Sequence, residues 1–290
     1  MDKPAMRSGT ATSLGLGAVL LWASLASLTT LRGPIPPLQT TAMVFAIGAA
    51  VGALVAALRG RLSCLKPTLA SLALGIYGLF GYHALYFAAL RLAPPAEAHL
   101  ISSLWALLTV LLAGLLPTQH LRPAHVIAAV VGFVAAASLI WDKLGAGGFS
   151  DNALLGFALA FGCALVWSTY SVGSRLLANV PSESLAVSCL ATSAIAFFAS
   201  LAFEQWVAPT GTQSWLALLG LGLGPAGLAF LLWDVGMKKG NVPLLGVLSY
   251  ASPILSTVLL IALGLAQATW ALAFACGLMI AAALIATRFG

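Results

Sequence analysis

The sequence predicts an all-α membrane protein of ten transmembrane helices, built as two inverted five-helix repeats with both termini inside. Three observations predict it. Charge is scarce, the few charges are spaced at membrane-span intervals, and short matches recur in the same order at a nearly constant offset.

Of 290 residues, 61% are hydrophobic and 7% charged. Soluble domains carry roughly 25% charged residues, so this chain could not cover a water-facing surface, and the bilayer must be its solvent. Uncharged stretches run 8–31, 33–58, 67–90, 98–121, 123–141, 152–174, 184–203 and 205–233, with a last one of 48 residues at 240–287. A hydrocarbon core about 30 Å thick takes about 20 apolar residues per helix. The first eight stretches hold one span each. The last holds two, divided near the segment Gly264 to Thr269. Lys3 and Arg7 followed by an apolar run and Ala23-Ser24-Leu25-Ala26 imitate a cleaved signal. The uncharged stretch is 24 residues long, beyond the roughly 7–15 of a signal core, and is read as the first span.

Basic residues set orientation, because cytoplasmic loops are enriched in Lys and Arg. With the N-terminus inside, ten of them face the cytoplasm and three (Arg32, Arg91 and Lys143) face outward. The net charge of +6 is then a topology signal, and no nucleic-acid partner is implied. Trp141, Trp206, Trp215 and Trp270 fall at expected outer ends of spans, where an aromatic belt belongs.

The repeat follows from paired segments. Thr109-Val-Leu-Leu112 returns as Thr257-Val-Leu-Leu260, and the segment Gly132 to Ile140 returns as Gly277 to Ile285. Spans 1 and 6 share a mid-depth Trp beside small polar residues, Trp22-Ala-Ser24 and Trp167-Ser-Thr169. The offsets are 145 to 148 residues, so the unit is five helices, 8–141 and 152–288. Five is odd, so the second unit enters the membrane from the opposite side, an arrangement suited to alternating access.

The linker Ala88-Ala-Leu-Arg-Leu-Ala-Pro-Pro-Ala-Glu-Ala98 and the motif Leu248-Ser-Tyr-Ala-Ser-Pro253 carry a family resemblance. In these segments, and over nearly its whole length, the chain resembles the drug/metabolite transporter superfamily, in its ten-helix members made of two EamA-type repeats. Within that superfamily it is most similar to the aromatic amino-acid exporters of the YddG type. One departure is that Trp105 stands in the first half where the second half has Pro253. The resemblance implies a multi-pass protein of the bacterial inner membrane that exports amino acids, aromatic ones favoured with broad specificity, without a cofactor.

The residues supply their own candidates. Lipid-facing or packing helices need only aliphatic side chains, so large polar-edged groups at mid-depth require a partner. Trp22, Trp105 and Trp167 lie near the centres of spans 1, 4 and 6, too deep for interfacial anchoring. Core packing with a locally satisfied indole N–H is the plain alternative. Tyr82 and His83 sit in span 3 just after Gly78 and Gly81, and an intramembrane imidazole must face protein or water. Tyr250, Ser249 and Pro253 gather in span 9, where proline cannot donate to the helix ladder. Ser102, Ser103 and Ser252 add small hydrogen-bonding groups. These residues are expected to line a central cavity between the halves. Glu97, His99, Glu204 and the pair Asp234 and Lys238 lie near span ends and are read as structural or interfacial.

Other functions find little support. No Walker A loop, HExxH or GxSxG occurs, and the four cysteines form no CxxC pair, so ATP-driven transport, hydrolase chemistry and a zinc or redox site are not indicated. A lipid-modifying membrane enzyme would need an acidic cluster, and only Asp142 and Asp151 approach one. The rival transporter reading is proton-coupled export of hydrophobic cationic drugs or other small metabolites. The spacings Gly48-xxx-Gly52, Gly220-xxx-Gly224 and Gly236-xxx-Gly240 allow close helix approach. The expected assembly is a monomer or weak homodimer, with the lipid bilayer and an amino acid as its partners.

Overall fold

The computed structural model describes residues 8–113, 123–145, 152–177, 179–239, 249 and 251–289, and every regular element among them is helical. Among the described residues six helical runs are long and apolar enough to cross a membrane: Gly9–Leu31, Pro37–Leu58, Leu69–Leu92, Ala153–Ser174, Ser182–Phe203 and Gly211–Gly236. At most half of each is buried against protein. The outer faces carry large apolar side chains such as Leu54, Leu155, Phe198 and Leu216, all more than half exposed. Apolar surface on this scale fits lipid, not water. The other four expected spans fall on the described helical segments 95–113, 123–145, 251–262 and 270–288.

The spans are interrupted where their sequences allow it. Span 1 is α1 (Ser8–Ala23) followed by α2 (Leu25–Leu31). At the join the Ser24 hydroxyl donates to the Leu21 carbonyl (2.7 Å), a back-bond that bends helices. Span 4 breaks likewise, into α3 (Pro95–Ser102) and α4 (Trp105–Ala113). There the hydroxyls of Ser102 and Ser103 both donate to the His99 carbonyl (2.8 Å each). Span 3 joins α5 (Leu69–Ile76) to α6 (Tyr82–Leu92) through a π-turn, Tyr77–Gly81. Span 8 joins α7 (Gly211–Leu223) to α8 (Ala229–Lys239) through a second π-turn, Gly224–Leu228. The two π-turns begin at Tyr77 and Gly224, 147 residues apart. π-turns often mark functional positions.

Two unbroken helices, α9 (Pro37–Leu58) and α10 (Leu185–Phe203), run against each other along their length. A Cβ at Gly48 would meet the Ala226 carbonyl at 2.6 Å, and one at Gly52 would meet the Ala186 Cβ at 2.7 Å. The first Gly-xxx-Gly spacing therefore serves packing within the chain. The Ser193 hydroxyl donates to the Ala42 carbonyl (2.7 Å). At one end the Glu204 carboxylate accepts the backbone N–H groups of Leu38 and Gln39 (2.9 Å each), capping a helix N-terminus whose dipole favours an anion. Gln39 doubles this link, donating to the Val207 carbonyl (2.7 Å) and accepting the Val207 N–H (2.9 Å). At the other end Arg61 pairs with Glu183 (2.8 Å). The remaining helices are α11 (Pro123–Gly145), α12 (Ala153–Arg175), α13 (Ala251–Ala262) and α14 (Trp270–Arg288).

Candidate functional site

The π-turn of span 3 places the site. At Gly78 a Cβ would lie 2.3 Å from the Tyr170 ring, and at Gly81 one would press on Val166 at 3.3 Å. These two glycines bring α6 against α12, and with it Tyr82 and His83 beside Trp167. The Tyr82 and Trp167 ring centroids are 5.3 Å apart. Trp167 in turn meets Trp22 at 5.9 Å, Phe230 at 5.7 Å and Trp105 at 6.3 Å. Most of these pairs are edge-on or tilted, the geometry that aromatic quadrupoles prefer.

The rings enclose a cavity of about 40 Å³, lined by Trp22, Leu25, Tyr82, His83, His99, Ser103, Trp105, Ala106, Trp167, Phe230, Ser249, Ser252 and Pro253. Seven of the eight residues expected from sequence thus share one cavity. The eighth, Tyr250, lies outside the described residues, as do Asp151 and the side chains of Asp142 and Lys238. Pro253 occupies the first described turn of α13, and the Thr257 hydroxyl donates to its carbonyl (2.9 Å). Among the described residues no Asp, Glu, Lys or Arg lines the cavity. Among the described residues no cluster of three His, Cys, Asp or Glu could hold a metal ion.

Hydrogen bonding decides which donors remain for a ligand. The Trp22 indole N–H is taken by the Pro225 carbonyl (3.1 Å) in the second π-turn. The His83 Nδ1 lies 2.9 Å from the Leu79 carbonyl; a carbonyl only accepts, so Nδ1 carries the hydrogen. In the neutral ring Nε2 is then an acceptor. Ser103 spends its hydrogen on His99, as above. His99 is 5% exposed, shares a 2.8 Å hydrogen bond between Nδ1 and the Tyr86 hydroxyl, and has no partner for Nε2 among the described residues. A buried polar atom on a cavity wall without a partner is a natural point for a ligand.

His99 is one of three participants that sequence reasoning missed. It was placed at a span end, because the spans were counted from the charge at Glu97. The helix in fact begins at Pro95, and the Ser102-Ser103 break turns His99 onto the wall. Phe230 gave no polar signal. Trp233, which meets Trp22 at 5.2 Å and Trp105 at 6.5 Å, was hidden by the charge of Asp234 beside it. Asp234 itself accepts from the Ser182 hydroxyl. Three of the four expected belt tryptophans, Trp206, Trp215 and Trp270, are at least 47% exposed. The Trp141 side chain is outside the described set.

Comparison with known proteins decides the family. The model of the EamA-like transporter family matches residues 10–141 and again residues 154–288. The chain belongs to the EamA-like transporter family. It is therefore a multi-pass membrane transporter and not an enzyme. It is similar to the aromatic amino acid exporter YddG of Ancylobacter novellus, with 48% identity over 97% of this chain and 98% of that protein. The uncharacterized transporter YyaM of Bacillus subtilis is 22% identical over 69% of this chain and 67% of its own. A solved crystal structure aligns over 98% of both chains with a TM-score of 0.80 and 47% identity.

Proposed function

We propose that this protein exports amino acids, aromatic ones favoured, across a bacterial inner membrane by alternating access. In this reading ten helices form two inverted halves with both termini in the cytoplasm, and the site residues are those of the aromatic cavity. The observation that carries it is the convergence of Trp22, Trp105 and Trp167 on one cavity with no charged residue among its described lining. The 48% identity to a named aromatic amino acid exporter supports the cargo. The 147-residue spacing of the two π-turns supports the repeated halves.

The chemistry of the walls suits a zwitterion with a flat side chain. The side chain stacks among the indoles. The ammonium group sits over a ring face, a contact worth about 0.5–2 kcal/mol, with the His83 Nε2 as an acceptor beside it. The carboxylate takes the His99 Nε2 when the Tyr86 hydroxyl donates to Nδ1 and leaves the hydrogen on Nε2. Without fixed charges the site ranks cargo by shape and π-surface, which gives breadth with an aromatic bias. The space between the rings holds only a few waters, so loading requires the walls to part. The breaks at Ser24 and Ser103 and the two π-turns are where helices can bend.

Competition distinguishes this from export of hydrophobic cations. Labelled phenylalanine is preloaded into proteoliposomes, and efflux is followed with unlabelled tryptophan, threonine or ethidium present, with and without a pH gradient. Tryptophan is expected to compete most strongly. Competition by ethidium alone, with efflux only under a pH gradient, would transfer the site to the drug-export reading.

A further inference from the structure

Two of the three basic residues that sequence places on the outward side converge on a second cavity, which shares no lining residue with the aromatic one. It has a volume of about 120 Å³ and lies where α2 and α6 end, with Arg32, Arg91 and Thr30 on its walls. Arg32 is 3% exposed, an unusual burial for a guanidinium. Gly33 has φ +80°, a left-handed conformation. The chain turns there so that the Gly33 and Ile35 carbonyls accept from the Arg32 Nη1. Its face lies over the Phe87 ring, 5.7 Å from the centroid. Its Nε is buried with no hydrogen-bond partner among the described residues.

Charge is unbalanced around this group. Among the described residues no carboxylate lies within ion-pair distance of Arg32 or Arg91. The Glu204 carboxylate acts on Arg32 from a distance, but its oxygens are engaged by the N-terminus of α9 and by the Ser200 hydroxyl (3.1 Å). Burial and then repulsion from Arg91 push Arg32 down to about 10, with Glu204 opposing, and at neutral pH it stays charged. The Thr29 and Thr30 hydroxyls donate into their own helix, to Leu25 (2.7 Å) and Ala26 (3.0 Å). The donors facing the cavity are therefore the guanidinium groups. A buried cation without a counter-charge is costly, and a planar fork of N–H groups matches the two oxygens of an oxyanion.

We propose that Arg32 and Arg91 form an oxyanion-binding site at this end of the bundle, for a carboxylate or a phosphate group. The ligand is either a soluble anion, the departing amino acid included, or the headgroup of an anionic phospholipid. The site does not depend on which cargo the aromatic cavity carries.

The test is thermal unfolding of the full-length protein in nanodiscs. Discs of phosphatidylcholine receive acetate or inorganic phosphate, with chloride at equal ionic strength as the reference. A parallel set contains phosphatidylglycerol. Arg91→Gln is the main variant, since Arg91 is exposed and its loss leaves the fold intact; Arg91→Lys keeps the charge and loses the fork. The expected result is a rise in midpoint of about 3 °C over chloride in the unmodified protein, largely lost in Arg91→Gln and partly kept in Arg91→Lys. A rise with acetate or phosphate assigns the site to soluble anions, and a rise with phosphatidylglycerol alone assigns it to lipid. No rise with any of them, or an equal rise in Arg91→Gln, overturns the proposal. The readout needs no transport, so failure of the flux assay and failure here are separate results.

Discussion

Along α9 and α10, glycines let backbones touch and polar groups fasten both ends, whereas around the cavity large rings meet edge-on and leave space between them. The first region has little freedom. At Gly52 the Ala186 Cβ of α10 lies 2.7 Å from where a Cβ would go, and sliding would break the Glu204 cap and the paired Gln39–Val207 bonds. The second region is tolerant. Ring contacts are worth roughly 0.5–1.5 kcal/mol each and can be exchanged for a ligand's own ring. Interruptions at Ser24, Ser103 and both π-turns stand next to the cavity, while α9 and α10 run unbroken. The contrast assigns stability to the α9–α10 seam and motion to the helices that carry the rings.

Substitutions in the two regions should therefore fail differently. The largest effect is expected from Gly52→Leu, which drives a side chain into Ala186 of α10, whose Cβ would lie 2.7 Å and Cα 3.3 Å from the first added carbon. Size-exclusion chromatography should find no folded monodisperse protein; normal yield and profile would remove the seam from its structural role. Trp167→Ala comes next, with efflux of phenylalanine down by at least about tenfold, the factor that follows from losing about 1.4 kcal/mol of contact, and an unchanged chromatographic profile. Smaller is Glu204→Gln, which keeps size but loses the charge at the helix N-terminus. Loss of about 1 kcal/mol of stability is expected, read as a lower unfolding midpoint with efflux largely kept. The smallest effect belongs to Trp206→Ala. This ring is 47% exposed and distant from the cavity, so efflux should change less than about twofold, within the usual range for surface positions.

Much of this was legible in sequence because membranes impose simple rules. Charge gaps marked spans, since a charge at mid-depth is expensive. The same cost made Trp22, His83, Trp105 and Trp167 conspicuous, and they do meet in one cavity. What was hidden depended on partners far along the chain. Glu204 was assigned to a span end, but not to the helix N-terminus 165 residues away that it caps. The indole N–H of Trp22 finds its partner 203 residues along the chain, in the Pro225 carbonyl. The helix breaks at Ser24 and Ser103 arise from hydroxyl back-bonds, which serines also make in unbroken helices, as Ser168 does to Leu165 (3.0 Å) in α12.

The division between a fixed seam and a transporting ring cluster is tested most directly by efflux of labelled phenylalanine from proteoliposomes. Unmodified protein, Trp167→Ala and Glu204→Gln are reconstituted at equal density and compared with empty liposomes. Efflux well above the empty control in the unmodified protein and Glu204→Gln, and near the control in Trp167→Ala, is the predicted result. Unmodified efflux no faster than empty liposomes, or full efflux in Trp167→Ala, would contradict it.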